Sequence, residues 1–485
     1  MLEQHAGASE YQARYALCWQ EEPQRQQPTP RAQALPLQQE EPGHPEMQPA
    51  LGGAAEGESD QQQLMPQALL QEAIQVVQQA LEPQSGFDGR WMWGTQQLPQ
   101  DADYRYLGIQ LSDDCSWTKH ADAVRDKCLR IKGLLAGIFK NKQLHTDVKR
   151  IMLLAVVRPV AEYGATVWHA NANQQSALES VQHQILSSMT GCPNTTSAHI
   201  LRMETGCRSF RSWFDQRKLE YYFKLKEMPA NRLPKLVWQF DWEEGRRRGG
   251  QLKMWDAHTQ AVAESVGMSD LEAACSAVNS YQCYKKQVSQ AVRKRYMQAA
   301  HTDAARQTTL ARYLPMLGPG TCMVPNTLQP YLSGPGPTLH TRLKLQFRSS
   351  TAAVAHRKEL LSRHSTRQQH VSNHCPCCSH DDETHLHFLL HCPHYNPLRA
   401  QLSNVLTDAV GEEKVAQWEG LQDEERYQTL LSDHFWGSKE AGSQVDEIVQ
   451  KFVVSAWEAR QLVIRGQSAV SGAGPHGHVA TGTAQ

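Results

Sequence analysis

Residues 375–392 read Cys375-Pro-Cys-Cys-Ser-His-Asp-Asp-Glu-Thr-His-Leu-His-Phe-Leu-Leu-His-Cys392, and this stretch constrains the fold more than any other. If Cys375, Cys378, His387 and Cys392 are ligands, their spacing is C-x2-C-x8-H-x4-C. Two thiolates on one tight turn can face one ion, and three sulfurs with one imidazole fill the closed tetrahedral shell of structural zinc. The spacing therefore predicts a zinc-stapled module with no open position for a catalytic water.

Neighbouring donors compete for the same ion: Cys377, His380, His385, His391 and His394. The sequence leaves the histidine ligand open among His385, His387 and His391. The pair Cys375/Cys378 is favoured over a pair with a one-residue gap, because that gap is an uncommon chelate. The alternative to a metal site is a loop of free thiols.

A short helix is expected to carry the histidine ligand. Thr384 is well placed to cap this helix, and Cys392 would follow His387 one turn later. Leu386, Leu389 and Leu390 are expected to pack beneath it.

Charge is distributed unevenly along the chain. The 485 residues hold 49 Lys and Arg against 50 Asp and Glu, a net charge of −1. Residues 1–90 carry a net charge of −9 and residues 401–485 one of −6, which leaves +14 for residues 91–400. A basic block of this size predicts a polyanionic partner.

Membrane insertion and secretion are not expected. The longest apolar run, residues 151–157, is far shorter than the roughly 20 residues of a membrane span. The N-terminal residues lack the cationic start and apolar core of a signal peptide. An intracellular location, in the cytoplasm or the nucleus, is the expectation.

Hydrophobic periodicity predicts a mostly α-helical chain that begins with a β-hairpin. The hairpin is expected within residues 90–111, with Trp91 and Trp93 before its break and Leu107, Ile109 and Leu111 after it. Helices are predicted over residues 124–138, 148–168 with a kink or break at Pro159, 178–189, 208–225, 253–267, 269–279, 281–298 and 445–457, the last with Arg460 near its end.

The expected organisation has seven parts. It runs from a disordered Gln/Pro-rich segment (1–89) through a hairpin and helical domain (90–240), a helical connector (241–313), a Pro/Gly-rich linker (314–340), a basic arm with the CCHC zinc knuckle (341–400) and C-terminal helices (401–465) to a disordered tail (466–485). Residues 1–85 hold 19 Gln and nine Pro, a composition that cannot bury enough apolar surface to offset the entropy of the chain.

Four motifs follow one another along residues 90–465. The first is Tyr106-Leu-Gly108 with Ser116-Trp-Thr-Lys-His120, and the second is Pro159-Val-Ala-Glu-Tyr-Gly164 with Trp168. The third runs from residue 178 to Gly-Cys-Pro and Thr-Thr at residues 191–196, and the fourth is Phe347-Arg348 with the cysteine cluster. In this order they resemble the C-terminal part of the reverse transcriptase of LINE-type (non-LTR) retrotransposons.

The resemblance implies a helical thumb-like bundle and a connector that end in a zinc knuckle. It also implies what is missing, because the polymerase of this family needs palm aspartates that hold two metal ions. No (Phe/Tyr)-x-Asp-Asp turn precedes the hairpin, and Asp113-Asp114 and Asp381-Asp382 are more simply solvated loop acids. The expected object is a non-catalytic fragment, not an enzyme.

Two basic stretches are the expected contacts with RNA or DNA. Residues 119–158 carry a net charge of +7 and residues 342–367 one of +6, which suits weak, sequence-tolerant contacts to phosphates. Phe347 or Phe388 could stack on bases, although Phe388 fits a core position better. The candidate residues are Lys119, Arg125, Lys127, Lys132, Lys149, Arg150, Arg348, Arg357, Lys358, Arg363 and Arg367.

Two other interpretations stay open at this point. One is a zinc-stapled helical adaptor whose partner is a protein. The other is a decayed genomic copy without a selected role.

Overall fold

The computed structural model describes residues 92–93, 96–97, 103–114, 116–239, 254–318, 321–363, 372–379, 381–432 and 434–471. The predicted disordered segment 1–89 and residues 472–485 of the predicted tail lie outside this part of the chain. The chain divides into two compact units, Met1–Ala102 and Asp103–Gln485. In the first unit, Met92–Trp93 (β1) pairs antiparallel with Gln96–Gln97 (β2). All other described elements belong to the second unit.

The hairpin of the second unit joins Asp103–Tyr106 (β3) to Ile109–Ser112 (β4), with Asp103 opposite Ser112. Its two turn residues, Leu107 and Gly108, have φ values of 46° and 85°. Positive φ at both positions gives the turn a twist that matches the strands. The sequence placed Trp91 and Trp93 in the first strand, and this was wrong. A Leu-Gly turn lacks the Asn-Gly signature that would have marked it.

The rest of the described chain is helical, which confirms the predicted fold class. The α-helices are Thr118–Leu134 (α1), Ala136–Lys140 (α2), Thr146–Met152 (α3), Arg158–Ala161 (α4), Ala172–Thr190 (α5), Ala198–Thr205 (α6), Phe210–Glu227 (α7), Leu233–Gln239 (α8), Met254–Ser265 (α9), Leu271–Ser276 (α10), Tyr281–Ala304 (α11), Thr308–Tyr313 (α12), Leu339–Arg348 (α13), Ala355–Arg363 (α14), Asn396–Val410 (α15), Glu412–Glu419 (α16), Asp423–Leu431 (α17) and Lys439–Ser471 (α18). Short 3-10 turns lie at Leu314–Leu317, Pro330–Leu332 and Pro393–Tyr395, and π-helical turns at Leu153–Val157 and His387–His391.

The helix irregularity near Pro159 precedes the proline. A π-helical turn separates α3 from α4, and Pro159 lies in the first turn of α4, where a missing N–H costs nothing. The apolar face predicted for this region was also wrong. Val148 and Ile151 are exposed, whereas Lys149 and Leu153 are buried.

The hydrophobic core joins the first helices to the cysteine module and the C-terminal helices. The Pro/Gly-rich segment contributes Leu314, Met316 and Leu332 to this core, so it packs into the body instead of separating two parts of it. Gly206 shows how closely it packs, because a Cβ there would lie 2.4 Å from the backbone of Thr327. A second cluster joins the C-terminal half of α7 to α9, α10 and α11.

Helix α18 is longer than the sequence indicated. It continues to Ser471, so residues 466–471 of the predicted disordered tail are helical. It packs against α13 and α15. Arg460, expected near the end of this helix, is buried in its interior. Within the described residues, no helix combines the length and the apolar composition that crossing a membrane requires.

Candidate metal centre

A short β-bridge forms the turn that carries the first two cysteines. His374 pairs with Asp382, and the Cys375 amide donates to the Asp381 carbonyl at 2.8 Å. The Ser379 amide donates to the Cys375 carbonyl at 2.8 Å, and Ser379 takes a positive φ of 60°. This tight reversal brings Cys375 and Cys378 to the same side of the turn. We call residues 372–395 the knuckle.

A π-helical turn supplies the other two ligands. The His387 amide donates to Thr384 Oγ1 at 3.0 Å, which confirms the predicted cap. The Cys392 amide then donates to the His387 carbonyl at 2.8 Å, five residues back. Such π-turns are frequent at functional sites because the extra residue redirects side chains. Leu389 and Leu390 are buried beneath the turn, as expected.

Four side chains converge on one point: Cys375, Cys378, His387 and Cys392. Their ligand atoms all lie within 4.8 Å of one another. The Sγ atoms of Cys375 and Cys392 are 3.7 Å apart, and Cys378 Sγ is 3.5 Å from His387 Nε2. With Zn–S and Zn–N lengths of about 2.3 and 2.05 Å, the corresponding edges of a tetrahedral zinc site are about 3.8 and 3.6 Å. The two measured edges fit this geometry, and the cluster, which we call the CCHC cluster, could hold one metal ion.

The described competitors of these ligands have other partners. Cys377 Sγ is 3.2 Å from the Tyr395 hydroxyl, and His385 Nε2 is 3.3 Å from the Ala352 carbonyl in a buried position. His391 Nε2 pairs with Asp423 at 2.9 Å. His394 packs against the ring of Tyr395, and His380 lies outside the described residues. The structure thus selects His387 from the three histidines that the sequence left open.

Burial keeps the Cys392 thiol protonated when no metal is bound. It raises the pKa of the Cys392 thiol to about 12. The pKa of Cys375 is raised as well, first by a hydrogen bond with Cys377 and then by burial. Burial lowers the pKa of His387, which favours the neutral imidazole that a metal needs. Metal binding must therefore release thiol protons, and affinity falls as the pH falls.

Asp381 lies beside His387, outside the four residues of the CCHC cluster. Its carboxylate lies 3.7 Å from Nδ1 of His387, and the aspartate is exposed. At this distance the two groups are not hydrogen-bonded, but the carboxylate lies on the Nδ1 side of the ring, and Nε2 is the nitrogen that faces Cys378. The sequence treated Asp381 as a solvated loop acid, because nothing in the spacing links it to His387.

A buried ion pair attaches the knuckle to α18. Glu383 accepts from Arg460 Nε at 2.5 Å and from Arg460 Nη2 at 2.6 Å, and also from the Ala355 amide at 2.6 Å. Both charged side chains are almost completely inaccessible to solvent. The sequence missed this pair because its partners lie 77 residues apart. The knuckle is therefore part of the rigid core.

The aromatic residues beside the knuckle also belong to the core. Phe388 packs against Phe347 with ring centroids 5.0 Å apart, and both are fully buried. The prediction that Phe388 is a core residue is confirmed. The suggestion that either ring stacks on a base is wrong for this fold, because neither face is accessible.

Two residues predicted to bind nucleic acid in the first basic stretch brace the interior instead. Lys149 is buried and donates to the Gly336 carbonyl, and burial lowers its pKa to about 8. Arg150 donates to the carbonyls of Thr205 and Asn326 at 2.9 and 2.6 Å. Their charged groups satisfy carbonyls of distant segments. The burial of Lys149 corrects its assignment, whereas Arg150 is only partly buried and its assignment stays a prediction.

Other bases of this stretch have partners at the surface. Lys119 pairs with Asp103 at 2.7 Å, and Arg125 is 3.0 Å from both Asp122 and Asp126. Lys132 donates to the side chain of Gln184 at 2.5 Å. A phosphate would have to compete with these contacts.

Two bases of the second basic stretch, Lys344 and Arg348, are buried, which corrects the assignment of Arg348. Arg348 pairs with buried Glu204 at 2.7 Å and donates to the Leu431 carbonyl at 2.5 Å. Lys344 forms a buried ion pair with Asp446. Arg357 is half-buried and Lys358 is exposed. The side chain of Arg363 and the whole of Arg367 lie outside the described residues.

One basic surface keeps its charge uncompensated. It consists of Arg105 on β3 and of Lys127 and Arg130 on α1, and none of these three has an ion-pair partner within the described residues. Burial first, and then the like charges of Arg105 and Arg130, lower the pKa of Lys127. Tyr104 and Tyr106 are exposed on the same hairpin, at 61% and 58%. We call these three bases the hairpin basic surface.

Comparisons with protein-family models, curated proteins and solved structures find no match for this chain. Its function therefore has to be argued from its own residues.

Proposed function

We propose that the chain is a zinc-stapled helical protein that binds RNA or DNA weakly and without sequence preference, and that it is related to the C-terminal part of LINE-type reverse transcriptases without being a polymerase. The observation that carries the nucleic-acid proposal is the hairpin basic surface. Three cations without acidic partners among the described residues suit a phosphate backbone.

The metal in this proposal is zinc, and its role is structural. Three thiolates and one imidazole are the donor set that zinc favours over harder divalent ions. Four protein ligands leave no position for a substrate or a water. The buried contacts around Glu383 further support a structural role, because they attach the cluster to the core and not to an open cleft for chemistry.

The contacts between motifs support the proposed relationship. The Tyr163 hydroxyl donates to the Leu107 carbonyl at 2.5 Å, which joins the Tyr-Leu-Gly turn to the Glu-Tyr-Gly motif. The rings of His120 and Trp168 meet edge to face with centroids 4.9 Å apart. A Cβ at Gly164 would lie 2.9 Å from Ile109. The first two motifs thus form one packed unit, which gives a physical reason for their pairing.

Salt dependence of binding tests the nucleic-acid proposal. A fluorescein-labelled oligonucleotide is titrated with the full chain between 50 and 200 mM NaCl, as single strand and as duplex, in RNA and DNA forms. Each phosphate contact adds about −0.9 to the slope of log K against log salt on duplex DNA, so the three bases alone predict about a 40-fold loss of affinity over this range.

Two matched triple variants locate the contact. Arg105→Gln/Lys127→Gln/Arg130→Gln should flatten the salt slope by two to three units, since each lost phosphate contact lowers it by about one. Lys119→Gln/Arg125→Gln/Lys132→Gln removes the same formal charge from bases that already have partners, and it should change the slope less. No binding at 50 mM salt, or equal effects of the two triples, would contradict the proposal.

A protein partner is the second candidate, and exposed apolar side chains favour it. Leu107 is 72% exposed at the hairpin tip, and Tyr163 beside it is 53% exposed. Exposed apolar groups that lie together suit a protein interface. Nucleic-acid binding that is absent at low salt, together with a stable complex whose affinity does not depend on salt, would favour this adaptor function.

A further inference from the structure

We propose that a cleft beside the knuckle binds a phosphate group, an inference that rests on the nucleic-acid function proposed above and gives it a second contact site. The cleft has a volume of about 420 Å³ and lies between α14, the cysteine turn and α18. Its described lining residues are Ala355, Lys358, Ser372, His374, Cys375, Pro376, Ser379, Arg460 and Ile464. The volume is within the range of natural ligand sites and accommodates a nucleotide unit.

The cleft is rich in hydrogen-bond donors. Lys358 is exposed and has no ion-pair partner within the described residues. Arg460 gives Nε and Nη2 to Glu383, but its buried Nη1 has no hydrogen-bond acceptor among the described residues. Two serine hydroxyls and the ring of His374 complete the polar lining. Ammonium and guanidinium groups that lack acceptors are the partners that phosphate oxygens prefer.

Two acidic residues, Glu383 and Asp382, lie near the cleft but do not line it. Glu383 is saturated by Arg460 and the Ala355 amide. Asp382 lies 3.6 Å from Nδ1 of His374 and belongs to the bridge that shapes the cysteine turn. No described residue that lines the cleft is acidic. An anionic ligand therefore meets donors without displacing an existing ion pair of Lys358.

Lys358 and Lys451 allow a matched comparison on the intact chain. Lys451 is exposed on α18, nine residues from Arg460 and hence about 13 Å along the helix. The variants are Lys358→Gln/His374→Asn and the control Lys451→Gln. Zinc content and helical circular dichroism establish that each variant folds. The first measurement is the affinity for a labelled single-stranded 20-mer at 50 mM salt. We expect the double variant to lose about tenfold and the control less than twofold.

A second measurement separates backbone phosphate from free phosphate. Lys358 and Lys451 of the unmodified chain are acylated with an amine-reactive reagent, with or without pyrophosphate or the 20-mer, and their modification is quantified by mass spectrometry. Protection of Lys358 alone by the 20-mer supports a nucleic-acid phosphate. Protection of Lys358 by pyrophosphate but not by the 20-mer supports a free phosphate ligand. This result would support the cleft even if the chain bound no oligonucleotide and the proposed function failed.

The cleft proposal is overturned by two concordant results. One is a double variant that binds the 20-mer as well as Lys451→Gln does. The other is equal acylation of Lys358 under all conditions. If the unmodified chain still bound the 20-mer in a salt-dependent way, the proposed nucleic-acid function would rest on the hairpin basic surface alone.

Discussion

Replacing Glu383 with glutamine should be one of the most damaging single changes to this protein. The carboxylate accepts two hydrogen bonds from Arg460, at 2.5 and 2.6 Å, and a third from the Ala355 amide at 2.6 Å. Both side chains of the pair are at most 2% exposed. Glu383→Gln keeps the size of the side chain and an acceptor for Ala355, but leaves the guanidinium charge buried and unpaired. Breaking such a pair costs about 3–5 kcal/mol.

This cost is a large share of the stability of a typical protein, about 5–15 kcal/mol. Urea unfolding followed by circular dichroism, at pH 7 with excess zinc for every variant, measures it. The double replacement Glu383→Gln/Arg460→Met removes both charges, and we expect it to be more stable than Glu383→Gln alone. Asp103→Asn, which removes the exposed partner of Lys119, is the control and should leave the unfolding midpoint unchanged.

Two results would refute this reasoning. A free energy of unfolding for Glu383→Gln within about 1 kcal/mol of the unmodified chain would show that the pair contributes little. A double variant that loses the sum of the two single losses would show that Glu383 and Arg460 are not energetically coupled.

Three further predictions concern the metal, catalysis and pH. Cys378→Ser should reduce bound zinc from one ion per chain to less than a tenth, measured by a chromogenic chelator, while His391→Ala retains it because His391 faces Asp423. The purified chain should extend no primer with magnesium or manganese, and deoxynucleotide incorporation that is lost on replacing Asp113 or Asp114 would contradict this. Burial raises the pKa of Asp215 from 3.8 to about 6, so the folded chain binds this proton more tightly than the unfolded chain does. Protonated Asp215 therefore contributes about 3 kcal/mol to the free energy of unfolding below pH 4, and this contribution is lost as the pH rises through 6. The variant Asp215→Asn keeps an acceptor for Tyr296. It should remove this pH dependence from the free energy of unfolding measured between pH 4 and 7.

Local patterns in the sequence were sufficient for several of the longer helices and for the three cysteine ligands. The apolar spacing over 178–189 predicted α5, and the glycine that ends this helix, Gly191, has a φ of 68°. The C-x2-C-x8-H-x4-C spacing named the four residues that converge. Both inferences succeed because helix periodicity and chelate spacing depend on residues close in the chain.

Long-range packing decided which histidine faces the metal and which charges face solvent. His385 and His387 are two residues apart, yet one faces the Ala352 carbonyl and the other the CCHC cluster. Arg348 and Lys127 were both predicted to bind nucleic acid, but only Arg348 has a buried carboxylate, Glu204, that comes from a position 144 residues away.

A sequence records that a residue is charged, whereas its burial and its partner depend on segments that only the folded chain brings together. The hairpin basic surface is the clearest case, because Arg105 lies on a strand and its two companions on the following helix. Their common property, the absence of an acidic partner among the described residues, exists only in three dimensions. For this reason the net charge of the sequence could predict a nucleic-acid partner. Which bases have no acidic partner among the described residues depends on the tertiary structure.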